Sequence, residues 1–230
     1  MPAPPREPQP GIALILAGVG GWVDAVGFLT LFGLFTAHLS GNTARFGVEI
    51  GQGAFGTALS YAVPIVVFFI GVVAGVWYMS ARGRQALAPL LAVEALLVTT
   101  FMVLGTVLHH AGDLTPRSPA YYGLAVAATA AMGLQTSSLR HVCHVEVHTT
   151  FVTGMITSLA VEVVGIVRHE PDALWRARIH GSLVGAYIVG AVSGSALEAP
   201  WRFWSLAIPV VVLVVLAVTR RRPTPVSATR

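Results

Sequence analysis

Asp24 stands in the middle of an unbroken apolar run, Gly20-Gly21-Trp22-Val23-Asp24-Ala25-Val26-Gly27-Phe28. A carboxylate at such a place costs about 2.5–3.5 kcal/mol on membrane-insertion scales, so it must face protein or water rather than lipid. Two uses fit it. It can hold a proton, a cation or a polar solute, or it can tie its helix to a nearby turn by hydrogen bonds. Flanking glycines allow another segment to approach its backbone closely.

The nearest polar turn is Ser40-Gly41-Asn42-Thr43. Hydroxyl and amide side chains beside a glycine suit the start of a helix, where they cap free N–H groups. A half-helix beginning inside a membrane would also aim those N–H groups at an anion or a carbonyl oxygen. Capping and solute binding both remain open for Ser40, Asn42 and Thr43.

This turn belongs to a window that occurs twice. Thr36-Ala37-His38-Leu39-Ser40-Gly41-Asn42 is echoed 113 residues later by Thr149-Thr150-Phe151-Val152-Thr153-Gly154-Met155, and Val48-Glu49-Ile50 by Val161-Glu162-Val163. Duplication within a membrane chain points to two half-units around a shared axis, with a solute site near their junction. In the second half Gln135 falls opposite Asp24, Thr153 repeats the hydroxyl beside a glycine, and Glu162 repeats Glu49. Arg45 and Glu49, four apart, are expected to form a structural ion pair; Arg45 against Asp24 is the sharper alternative. Glu162 has Ser158 where the first half has Arg45, which leaves it without that cation and open to proton exchange. Glu94, early in a later apolar run, is expected to reach the cytoplasmic surface.

His141, Cys143, His144, Glu146 and His148 have the types and spacing of a zinc or copper site, yet no partner motif exists elsewhere and a polar loop reads the same way. No metal and no cofactor is therefore expected. Phosphate loops, nucleophile elbows and the metalloprotease helix pattern are absent from the sequence, so no enzyme is expected. With one cysteine the chain cannot close a disulfide on itself.

The elements that must position these groups follow from composition. Of 230 residues 55% are hydrophobic and 10% charged, and the mean hydropathy is +0.74; a soluble domain carries roughly a quarter charged residues. The reading is an all-α polytopic membrane protein, its partner the lipid bilayer. Its pI near 9.8 does not point to nucleic acid, because all 14 basic residues are arginines set mostly between and after the apolar runs. Spanning helices are expected over Gly11–Gly33, Thr57–Ser80, Pro89–His109, Ala120–Leu139, Ile179–Leu197 and Phe203–Thr219. Residues 1–10, with five prolines, form an N-terminal arm; residues 11–219 form one membrane domain, with repeats over about 11–110 and 119–219; residues 220–230 form a basic tail.

Arginine placement decides whether the repeat windows cross. If both re-enter, six spans result, and with the N-terminus inside eleven arginines are cytoplasmic and two, Arg117 and Arg202, are outside. If both cross, eight spans result and the split is nine to four. The excess of inside positive charge favours six spans and two short re-entrant helices. Three spans per half then makes the second half upside down, an inverted 3+3 repeat. Gly71-x-x-x-Gly75, Gly181-x-x-x-Gly185 and Gly190-x-x-x-Gly194 are close-packing seams, within one chain or between copies in a homo-oligomer.

Val23-Asp24-Ala25-Val26-Gly27-Phe28-Leu29, Ser40-Gly41-Asn42-Thr43, Met132-Gly133-Leu134-Gln135 and Val152-Thr153-Gly154, in that order, resemble the YoaK-like family of bacterial inner-membrane proteins. The resemblance implies a multi-pass protein of the bacterial cytoplasmic membrane and carries no activity with it. Function is read as a small-solute or ion transporter or channel, with Asp24, Ser40, Asn42, Thr43, Gln135, Thr153 and Glu162 near mid-membrane. The alternative is a non-transporting scaffold, lipid-binding or assembly component.

Overall fold

The apolar runs become long helices because a backbone in hydrocarbon must satisfy every N–H and C=O within its own segment. The computed structural model describes residues 10–142 and 152–220, and every element over them is helical. In chain order these are α1 (Pro10–Thr30), α2 (Leu39–Gly51), α3 (Phe55–Arg82), α4 (Leu87–Ala111), α5 (Pro119–Val142), α6 (Val152–Val167), α7 (Ala173–Trp201) and α8 (Ala207–Arg220). A 3₁₀ turn, Gly83–Ala86, joins α3 to α4, and another, Arg202–Leu206, joins α7 to α8. Most of the N-terminal arm, the histidine-rich segment from Cys143 to His148, the His141 side chain and the tail beyond Arg220 lie outside the described residues.

Among the described residues four segments are long and apolar enough to cross a membrane: Gly11–Thr30, Phe55–Arg82, Leu87–Ala111 and Ala173–Arg220. The last has 48 residues, which at about 1.5 Å per residue is twice what one crossing needs. α2, with 13 residues, reaches only about 20 Å and falls short of a bilayer core of roughly 30 Å.

α1 and α5 form the centre. Leu16, Val23 and Val26 of α1 and Leu124, Ala128 and Met132 of α5 are wholly buried in one apolar cluster. α3 packs on α5, and α7 packs on α1. Both seams are glycine contacts inside the single chain. Gly71 of α3 meets Ala130 O and Gly133 of α5; Gly190 of α7 meets Gly18 O of α1, and Gly194 meets Trp22. A methyl group at Gly190 would collide with the Gly18 backbone, so these seams close only without side chains. The outward faces are apolar too. Val66, Phe69, Ile70 and Val73 of α3 and Val189 and Val192 of α7 are exposed, and Trp77, Trp175, Trp201 and Trp204 are exposed near helix ends. That is the belt expected at the two membrane surfaces.

Helix boundaries differ from the expected ones, α7 for instance ending at Trp201 rather than Leu197, and three of the differences shape the fold. α1 ends at Thr30 because Phe32 and Gly33 both take positive φ, 54° and 83°, and turn the chain back. α7 starts at Ala173, six residues before the expected Ile179, so Arg176 and Arg178 are helical. The last helix starts at Ala207 after the 3₁₀ turn rather than at Phe203.

Candidate functional site

After α1 the chain reverses and runs back alongside it. The glycine at 27 leaves room for this: a Cβ there would collide with the Thr36 methyl. Residues 36–38 are thereby returned to the level of Asp24, and α2 starts from that depth. Asp24 is 2% exposed and is the anchor. Its Oδ1 accepts the backbone N–H of Thr36 at 2.6 Å and of Ala37 at 2.7 Å, and the Thr36 hydroxyl at 3.2 Å. Its Oδ2 accepts His38 Nδ1 at 2.7 Å and the Tyr187 hydroxyl of α7 at 2.6 Å. A carboxylate only accepts, so the Nδ1 of His38 carries a proton in this contact. Tyr187 and His38 are themselves 2.9 Å apart. Five donors fill roughly four lone-pair sites, and one carboxylate joins α1, the returning loop and α7.

Asn42 fixes the loop from the other side. It is the buried residue of α2. Its side-chain N–H donates to Phe35 O at 2.6 Å, and its Oδ1 accepts Phe35 N–H at 3.2 Å. This pairs both backbone polar groups of one residue that has left helical geometry, where an orphan would be costly. Ser40 and Thr43 are exposed on α2, and the Thr43 hydroxyl caps back to Leu39 O. His38, not Ser40, precedes the first residue of α2.

Gln135 is wholly buried and donates to Leu16 O of α1, while its Oε1 has no partner among the described residues. It touches the Gly20 position, so it meets α1 one to two turns before Asp24 rather than opposite it. Thr153 is exposed at the start of α6. Glu162 does have a cation: Arg176 Nε of α7 lies 2.8 and 2.9 Å from its two oxygens. The expectation of an unpaired Glu162 missed this because Arg176 read as a loop residue.

Arg45 turns away from Glu49. It donates to the Tyr61 hydroxyl on α3 at 2.9 Å and lies 5.8 Å from that ring's centre. The ion pairs among the described residues are Asp24–His38, Glu162–Arg176 and Glu198–Arg202, so neither the Arg45–Glu49 nor the Arg45–Asp24 pairing forms. Glu94 is corrected as well: it does not reach a surface but is 0% exposed. Among groups that could hold a metal, no cluster of three occurs within the described residues.

Two site residues went unmarked in the sequence reading. His38 lies inside the duplicated window but was not singled out. Tyr187 is a lone hydroxyl in an apolar span, which is the signal that could have found it.

The described cavities lie elsewhere. One of about 170 Å³ opens between Ala13 and Leu14 of α1 and Trp175, Arg178 and Ile179 of α7. Another of about 500 Å³ is bounded by His109, His110, Trp201 and Trp204. Asp24 lines neither.

Apolar helices with outward-facing hydrocarbon and a buried, saturated carboxylate define a multi-helix integral membrane protein. The family model "Protein of unknown function (DUF1275)" matches residues 12–219, and the chain belongs to that family. It is similar to the UPF0700 transmembrane protein YoaK of Bacillus subtilis (strain 168), at 23% identity over 211 residues, which is 90% of this chain and 92% of the relative. No solved structure matches it.

Proposed function

We propose that this protein is a small-solute or ion transporter of the bacterial cytoplasmic membrane, built as an inverted repeat and here in an occluded state. The observation that carries the reading is Asp24. A carboxylate is held at the meeting of the first half's α1 and returning loop with the second half's α7, where alternating access needs a contact that can be made and broken.

Several features support the repeat. Each half runs long helix, short helix, long helix, 3₁₀ turn, helix. α3 ends at Gly83 with φ 57° and ψ −131°, and α7 ends at Arg202 with φ 51° and ψ −133°. α2 folds onto α3 as α6 folds onto α7, and α3 packs on α5 as α7 packs on α1. With α1, α3, α4, α5, α7 and α8 as the six spans and α2 and α6 re-entrant, the arginine distribution puts both termini in the cytoplasm. On this reading Asn42 and Gln135 flank the site, Ser40 and Thr43 line the approach along α2, and Thr153 and Glu162 hold the corresponding places on α6.

A second reading, a non-transporting membrane component, draws on the same carboxylate: all its lone pairs are already taken by protein donors. Flux into liposomes separates the two. Purified protein is reconstituted and a broad panel of ions and small polar solutes is offered to wild type and Asp24→Asn. The transport reading expects at least one solute to be taken up and its flux to fall in the variant. Uptake untouched by Asp24→Asn, in a variant shown to be folded, would remove Asp24 from any transport path.

A further inference from the structure

Glu94 sits in the first third of α4 with 0% of its surface exposed, and neither carboxyl oxygen finds a hydrogen-bond partner among the described residues. Its helix neighbours Leu90, Leu91, Ala95 and Val98 are buried with it. The other carboxylates of the long helices are all engaged: Asp24 by five donors, Glu162's partner Arg176 reaching across from α7, and Glu198 by Arg202. Glu94 alone of the buried acids described has no partner.

α4 packs against α5, α8 and the two 3₁₀ turns. The titratable groups with described side chains on these elements are Tyr121 and Tyr122 on α5, Arg202 after α7 and Arg220 on α8, with His109 and His110 at the far end of α4 itself. Tyr121 and Tyr122 bond to Ser60, Arg202 to Glu198 and His110 to Thr106 O. None of these groups bonds or ion-pairs with Glu94. A bare carboxylate in such a place is prohibitive, whereas the neutral acid is tolerated. An acid that is neutral when enclosed and ionised when wetted must exchange one proton with water each time the enclosure opens.

A cleft of about 260 Å³ lies between α4 and α8, lined by Ala92, Ala95 and Thr99 on one side and Val214 and Ala217 on the other; at 3.6 residues per turn that is the face of α4 turned away from Glu94, so the acid is sealed from it. Counted from the prolines near the starts of the two helices, Pro89 and Pro209, the place of Glu94 is taken in α8 by Val214. The second half therefore carries no matching acid.

We propose that Glu94 is the proton-binding residue of this protein, taking up one proton when α4 is enclosed and releasing it when its surroundings admit water. Its role as a coupling group rests on the transport reading; proton binding itself does not.

The test uses the purified full chain and dicyclohexylcarbodiimide, an apolar reagent that reacts with protonated carboxyls, with mass spectrometry of the peptide bearing Glu94. Modification at Glu94 is expected near pH 6, falling about tenfold per pH unit above the titration midpoint, and absent in Glu94→Gln. An unreactive Glu94, or a rate flat from about pH 5 to about pH 9, would overturn the proposal. Protection by sodium chloride at constant pH would also overturn it, in favour of a metal cation. In liposomes Glu94→Gln should keep flux and lose its response to a pH gradient. Because the labelling needs no solute, pH-dependent modification alongside a silent flux panel would retain the proton site and discard transport.

Discussion

Tyr187 donates its hydroxyl hydrogen to Asp24 Oδ2 at 2.6 Å although 163 residues separate them. This contact adds a polar tie to the glycine seam, Gly18–Gly190 among its contacts, that joins α1 to α7. Tyr187→Phe deletes the hydroxyl and keeps the ring. A hydrogen bond to a charged group is worth about 1.5–3 kcal/mol, so the thermal midpoint in detergent should fall correspondingly. In flux, loss of this tie should favour opening, and Tyr187→Phe should leak rather than stop.

Asn42 and its neighbours give a graded series. Asn42→Ala strands both polar groups of Phe35 beneath the loop, at about 1–3 kcal/mol for each buried orphan. Ser40→Ala and Thr43→Ala change exposed hydroxyls and should stay within about 0.5 kcal/mol of wild type. Thermal melting of the three variants in one detergent checks the order. Equal losses in all three would mean that the Asn42–Phe35 pairing does not hold the loop.

The two 3₁₀ corners differ in how well their residue suits the backbone. Gly83 adopts φ 57° and ψ −131° freely, while Arg202 is held at φ 51° and ψ −133°, where a side chain is strained by about 1–3 kcal/mol. Arg202→Gly should therefore raise the melting temperature, since the exposed guanidinium's pair with Glu198 returns little. Gly83→Ala should lower it. Opposite signs at matched positions are the expected result, read by differential scanning fluorimetry.

Helix length is legible in this sequence, and the direction in which each helix faces is not. Apolar length located α1, α3 and α4 because hydrocarbon imposes a minimum run, and the duplicated window marked α2 as a short element. Which face of each helix turned inward was hidden, because lipid and protein interior are equally apolar and the periodicity that separates core from water is lost. Asp24 was therefore found by its charge alone, whereas Tyr187, a polar tip on an apolar ring, blended into its span. Glu94 was placed near a surface because its position in the run is early; its burial comes from packing that α4 makes with distant segments. Glu162 and Arg176 were separated in the reading by a boundary drawn six residues too late, and the 14-residue interval that makes them partners spans the turn between α6 and α7.

Asp24 has no vacancy. Its two oxygens already host five donors, four of them from the stretch that leads into α2. Any visitor to this carboxylate must evict a resident before it can bind, and four of the five leave together if residues 36–38 lift away. On the proposed transport reading, arrival of a solute and release of the loop would then be a single exchange.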